Sequence, residues 1–168
     1  MAQQYFVLGI GGTGMRCIES LIHLCAMGMF DDTDIHLLAL DTDKDNGNFA
    51  RLKEVKEAYV KTKGTEASQR TALKDTFFSA NIHYYEFSPN YETKSDFKSV
   101  FNYGDTKFNN PEQTAIADLV LTQNVETFNL RHGYRAQTHL GSMMMYHSIL
   151  EAARSNKNSQ LKAYLQKL

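Results

Sequence analysis

The sequence predicts an α/β domain, Rossmann-like and three-layered, with a mainly parallel sheet. Three observations predict it. A short apolar run ends in glycines, "YFVLGIGG"; an amphipathic segment follows; a second apolar run, "IHLLAL", closes the unit within the first 40 residues. Strand, glycine turn, helix and strand at that length make a βαβ unit, which implies parallel strands, a right-handed crossover and helices covering the sheet.

Each element has its own justification. Residues 5–10 are aromatic and β-branched, as a buried strand requires. In "GMRCIESLIHLCAMGM", Cys17, Ile18, Leu21, Ile22 and Cys25 recur at three- and four-residue steps, one apolar face of a helix, and Gly28 is a stop signal. "DDTD" (31–34) is a polar turn, and 35–40 is the second strand. Residues 48–61 are charged and read as a partly helical surface segment. Residues 66–80 read as helix and 81–87, "NIHYYEF", as strand, whereas 88–110 has no clean period and reads as irregular. Asn110, Pro111 and Glu112 look like an N-cap and first turn, opening a helix to about Thr122. Residues 131–141 form a glycine-bounded loop leading into a helix on which Met143, Met144, His147 and Leu150 share a face. A last amphipathic helix covers 159–168. With no repeats and no linker composition, residues 1–168 read as one domain.

Composition narrows the function classes. The 168 residues carry a net charge of −1 with scattered basic residues, so nothing concentrates the positive field a nucleic-acid surface needs. No run approaches the ~18 consecutive apolar residues of a membrane span, and the first residues do not read as a secretory leader. Cys17 and Cys25, eight positions apart on one helix, are too far apart for a disulfide. As two buried thiols they suit the cytoplasm. The expected partners therefore include neither nucleic acid nor membrane.

The chemistry is concentrated in "GIGGTGMR" (9–16). Glycines at 9, 11, 12 and 14 let the backbone turn tightly and approach a phosphate with no Cβ in the way. The helix that begins there directs unpaired N–H groups and a positive dipole end at an anion. The spacing fits G-x-G-x-x-G in the required strand-to-helix context, and the lysine of a Walker-type P-loop is missing. The alternative is a turn whose glycines only let helix and strand pack closely.

Asp41, Asp43 and Asp45 in "LALDTDKDNGN" occupy the first, third and fifth ligand positions of an EF-hand. The sixth position, however, is Asn46, the twelfth is Leu52, and a strand precedes where a helix should. At the carboxyl end of the second parallel strand, Asp41 and Asp43 instead lie where α/β folds bind ligands, and an acid there accepts from a ribose hydroxyl. The alternative is a solvated loop. Arg16 and Arg135 are the basic residues best placed to face phosphates, or else they are solvated. The six histidines have no zinc spacing, and His132 and His139 flank the second glycine loop.

Three segments together resemble the tubulin/FtsZ superfamily, particularly its bacterial tubulin-like members. "VLGIGGTGMR" resembles the first phosphate loop. "LALDTDKDN" resembles the second strand ending in Asn-Thr-Asp, with Asp41 in place of the asparagine. "GYRAQTHLG" resembles the later loop that closes over the terminal phosphate. All three occur in the family's order, over roughly residues 4–52 and 128–154. The resemblance implies that Gly11, Gly12, Thr13, Gly14, Met15 and Arg16 hold the phosphates of GTP or GDP. Asp41, Thr42 and Asp43 would line the sugar or a magnesium ion, and Gly133, Arg135, Ala136, Gln137 and Thr138 would sense the γ-phosphate. It implies head-to-tail self-association, with a catalytic acid donated across a subunit interface. The family's Gly-Gly-Gly-Thr-Gly-type loop is absent, so the chain is expected to be the N-terminal part of such a GTPase domain, either truncated or a natural short form, with no catalytic residues of its own. Rival classes are an NAD- or ATP-binding Rossmann-type enzyme domain, either an oxidoreductase or an adenylating enzyme, and a non-catalytic interaction module.

Overall fold

The computed structural model describes residues 3–69, 77–89, 111, 112, 115, 129, 138–154 and 159–168. Three strands, β1 (Gln4–Ile10), β2 (Asp34–Leu40) and β3 (Asn81–Phe87), form a parallel sheet in the order β1-β2-β3. The register is continuous, with Tyr5 opposite Ile35 and Ile35 opposite Ile82. Helix α1 (Gly11–Ala26) joins β1 to β2, and α2 (Asn48–Gln69) lies between β2 and β3. Two further helices, α3 (Thr138–Arg154) and α4 (Gln160–Leu165), complete the described elements.

Side chains alternate across a strand, and here both faces are covered. Ile35, Leu37 and Ala39 join Met15, Ile18, Ile22 and Cys25 of α1 and Leu52 and Tyr59 of α2 in one core. Leu38 and Leu40 face the other way and pack with Leu161 and Tyr164 of α4 and with Met145 and Ile149 of α3. The central strand β2 is consequently buried along nearly its whole length, which is why its sequence is apolar without alternation. The chain is thus an α/β protein with helices on both faces of a parallel sheet, compatible with a Rossmann-like layout.

The strands fall where the apolar runs placed them, and the helices need correction. Helix α1 starts at Gly11, so Gly11, Gly12 and Gly14 are in its first turn and Gly9 is in β1, rather than in a loop between them. Its end follows expectation. Gly28 sits at φ +84°, its N–H donates to the Cys25 carbonyl, and the Met29 N–H donates to the Leu24 carbonyl, the two bonds of a Schellman motif. Cys17 is exposed, while Cys25 is buried and its thiol is pushed up to about 11 by that burial. Glu19 takes the inward place that spacing assigned to Cys17.

The 48–61 segment and the start of the 66–80 segment belong to one helix, and residues 70–76 lie outside the described residues. Helix α2 runs unbroken through Gly64 to Gln69, and 77–80 is a turn in which Phe78 takes φ +54°. The Tyr59 hydroxyl donates to the Ala80 carbonyl and Lys63 Nζ to the Ser79 and Ala80 carbonyls, tying α2 to the entry of β3. Helix α3 begins at Thr138, inside the expected glycine loop, and buries Leu140, Met144 and Ser148 while Met143 is exposed. Helix α4 is shorter than the expected 159–168, with Ser159 as its N-cap accepting from the Lys162 N–H. Pro111, Glu112 and Ala115 are helical. The rest of the 111–122 helix and most of the irregular 88–110 stretch lie outside the described residues.

Candidate functional site

The carboxyl edge of the sheet carries the site. Where β1 passes into α1, Gly9 and Gly14 press backbone against backbone. A Cβ on Gly14 would lie 2.7 Å from the Gly9 carbonyl carbon, and one on Gly9 would lie 2.8 Å from the Gly14 oxygen. Gly11 occupies φ +66° with open space where its Cβ would be. The glycines thus divide the work: 9 and 14 permit close helix–strand packing, and 11 makes the turn. A Cβ on Gly12 would meet only the Asn48 side-chain amide, at 2.8 Å, so the start of α2 lies against the start of α1.

Helix α1 opens on Ile10 in an extended conformation, with no side-chain cap and no acidic residue in its first turn. A helix leaves its first N–H groups without intrahelical partners and carries a positive end there. The absence of a protein cap leaves that end available to an anion. Helix α3 likewise has no acid in its first turn. Between the two helix starts lies a cleft of about 370 Å³ lined by Ile10, Gly11, Asp41, Thr138, Gly141, Ser142 and Met145. The lining is mostly apolar, with Asp41, Thr138 and Ser142 as its polar side chains.

Asp41 directly follows β2, its N–H donating to the Phe87 carbonyl. Its Oδ1 accepts from the Asp43 N–H at 3.2 Å and its Oδ2 from the Asn46 side-chain amide at 3.3 Å. Asp43 in turn accepts from the Asp45 N–H, and Asn46 from the Asn48 N–H. Loop 41–48 is therefore knitted by its own acids and amides, a series of Asx turns. Asp41 is the member that also faces the cleft. Each carboxylate oxygen has two lone pairs and spends one on the loop, so Asp41 keeps capacity for a further donor. No group of three or more potential metal ligands occurs among the described residues.

Two buried hydroxyls on this same edge, Thr42 after β2 and Ser88 after β3, have no partner among the described residues. Burying a hydroxyl without a hydrogen bond costs roughly 1–3 kcal/mol, so their location at the edge that carries the candidate site is informative.

The expected site residues separate into three groups. Gly11, Asp41 and Thr138 meet at the cleft, with Gly12 and Thr42 adjacent in sequence and Thr13 exposed beside them. Met15 is in the core, and Arg16 pairs with Glu19 at 3.8 Å beside the Glu19–Arg51 ion pair. Gly133, Arg135, Ala136 and Gln137, together with His132, lie outside the described residues; His139 is exposed. Sequence reasoning passed over Ile10, Gly141, Ser142 and Met145. Ile10 was signalled by its place at the strand's carboxyl end. The α3 residues carry no such mark, because a loop reading of 131–141 hides the helical spacing that sets 138, 141, 142 and 145 on one side.

Comparison with known protein families, with curated proteins and with solved structures finds no match to this chain. The class defined by fold and site is therefore an α/β chain with helices on both faces of a parallel sheet and a candidate anion cleft at its carboxyl edge. No helix among the described residues is long and apolar enough to cross a membrane.

Proposed function

We propose that the chain binds a guanine nucleotide, GTP or GDP, in this cleft, as a tubulin/FtsZ-like protein that self-associates head to tail. One observation carries the reading. Gly11, Asp41 and Thr138, one residue from each of the three segments that resemble the family, line a single opening although up to 127 positions separate them. The uncapped start of α1 would take the phosphates, and the start of α3 would face them from the other side. Asp41 would accept from a sugar hydroxyl or meet a magnesium ion held mainly by the nucleotide's own phosphates, the usual way that ion is bound.

A second reading has its own support. Gly9, Gly11 and Gly14 play the packing and turn roles of the dinucleotide fingerprint, and Asp41 directly follows the second strand, where an acid reads a ribose. The 27 residues from Gly14 to Asp41 exceed the usual ~20 of that fold, which weighs against it.

Calorimetry with GTP, GDP, ATP and NAD separates the readings. Preference for GTP or GDP is expected. Preference for ATP or NAD would replace the guanine reading with that of a Rossmann-type enzyme domain, and no binding at all would favour an interaction module. Gly12→Asp places a negative charge at the α1 start and should abolish binding. Gly12→Ala, whose methyl meets only the flexible Asn48 amide, is the control for folding.

A further inference from the structure

One residue from each strand stands in register on the sheet face that α3 and α4 cover: Phe6, His36 and His83. Their rings stack, Phe6 on His36 with centroids at 4.8 Å and planes at 10°, and His36 on His83 at 4.6 Å and 14°. These separations match the spacing of neighbouring strands, so the ladder forms without distortion.

The middle ring is the unusual one. His36 is 3% exposed, its Nδ1 lies 3.5 Å from the Tyr85 hydroxyl, and its Nε2 is buried with no partner among the described residues. Neutral imidazole has one N–H and one acceptor nitrogen, whereas imidazolium has two N–H groups. A proton on His36 would therefore bury a charge and leave a donor without an acceptor.

The groups facing His36 can be named element by element. Strand β1 contributes Phe6 and no charge, and β2 contributes Asp34, which lies 3.3 Å from the His83 Nε2. Strand β3 contributes His83 and Tyr85. Helix α4 contributes Tyr164 with Lys167 just beyond it, while α3 presents Met145, Ile149 and Ala152, none of them titratable. Burial, reinforced by His83 and Lys167 and opposed by Asp34, holds His36 below the usual histidine range.

Helix α4 closes this surface. Tyr164 meets Phe6 and Tyr85 edge-on at 5.9 and 5.5 Å, and the Gln160 side chain accepts from the Glu86 N–H at 2.7 Å. At six residues it is too short to persist as a helix away from the sheet. We propose that the Phe6–His36–His83 stack is a proton-operated latch, in which protonation of His36 releases α4 and uncovers the apolar sheet face beneath it. The sign follows from linkage. An exposed histidine takes its proton near 6.5 and the buried one takes it lower, so the closed state is favoured above that value and loses ground as pH falls below it.

Amide hydrogen exchange on the full chain, corrected for the intrinsic effect of pH, tests the latch. The Lys162–Tyr164 amides should lose protection by up to about tenfold per pH unit below 6.5, the slope of one linked proton, while the α1 amides change little. His36→Phe keeps a stacking ring without a proton site, and its α4 protection should be flat over the same range. Equal loss in His36→Phe overturns the proposal. So does a wild-type α4 that holds its protection or loses it only in step with α1. That last comparison needs no variant, so it decides the matter even where His36→Phe does not fold.

Discussion

Gly9 and Gly14 touch backbone to backbone, the end of β1 against the first turn of α1, with 2.7 Å between the Gly9 carbonyl carbon and the place a Gly14 Cβ would occupy. The nearest atoms to a Gly14 Cβ are all backbone atoms of Gly9, none of them a flexible side-chain end that can swing away. The contact fixes where the uncapped start of α1 sits relative to the sheet edge, and so fixes one wall of the cleft.

Gly14→Ala should therefore act on the fold first. Forcing a methyl into a closed backbone contact costs about 1–3 kcal/mol, the usual range for overpacking, and urea unfolding would read it as a lower midpoint with an unchanged slope. Gly12→Ala, whose added methyl would meet only the flexible Asn48 side-chain amide, should unfold like the wild type. If both glycines prove equally tolerant, the packing role given to Gly14 is wrong.

Thr42 offers the opposite case, a side chain whose hydroxyl none of the described residues engages. It is 4% exposed and its Oγ1 has no partner among the described residues. Replacing it with valine keeps the branched shape and removes the uncompensated burial, so Thr42→Val should raise stability by about 1 kcal/mol in urea unfolding of the ligand-free chain. If the hydroxyl is held for a ligand at this edge, the same variant should bind nucleotide more weakly. Gained stability with lost affinity is a signature that neither a packing role nor a surface role produces.

The strands were legible in the sequence because each is a short apolar run, and β2, buried on both faces, is apolar nearly throughout. The helix boundaries were harder for a physical reason. A glycine reads as a break, yet Gly64 lies in open surroundings within α2 and Gly141 sits in the first turn of α3, where it lines the cleft. The acidic cluster was harder still. Its pattern shows how many carboxylates stand at the strand end and does not show which donors occupy them. In the folded chain Asp43 serves the loop backbone, and of the three aspartates it is Asp41 that lines the cleft. Arg16 illustrates the same limit: one turn into α1 it is near the phosphate loop in sequence, but Glu19 draws it into the α1–α2 contact.

That contact yields the last prediction. Glu19 is almost buried and accepts from Arg51 Nη2 at 2.7 Å and from Nε at 3.0 Å, with Arg16 at 3.8 Å. The hydrogen bond from Arg51 leads in holding the Glu19 carboxyl below its ordinary value of 4.5, against the opposing effect of burial, and the charges of Arg51, Arg16 and His23 add to the lowering. A carboxyl that is a stronger acid in the folded chain than in the unfolded one stabilises the fold above its unfolded value. It stops doing so as pH falls through its folded value. Because Arg51 is largely solvent-exposed, much of the charge attraction is screened, and the loss should be modest. Glu19→Gln should lower Tm by roughly 2–4 °C at pH 7, and the difference from wild type should shrink below pH 4.5 as the wild-type carboxyl takes up its own proton. Thermal melts of both chains at closely spaced pH values would check it. Parallel Tm curves down to acid pH would mean that the α1–α2 contact holds without the charge on Glu19.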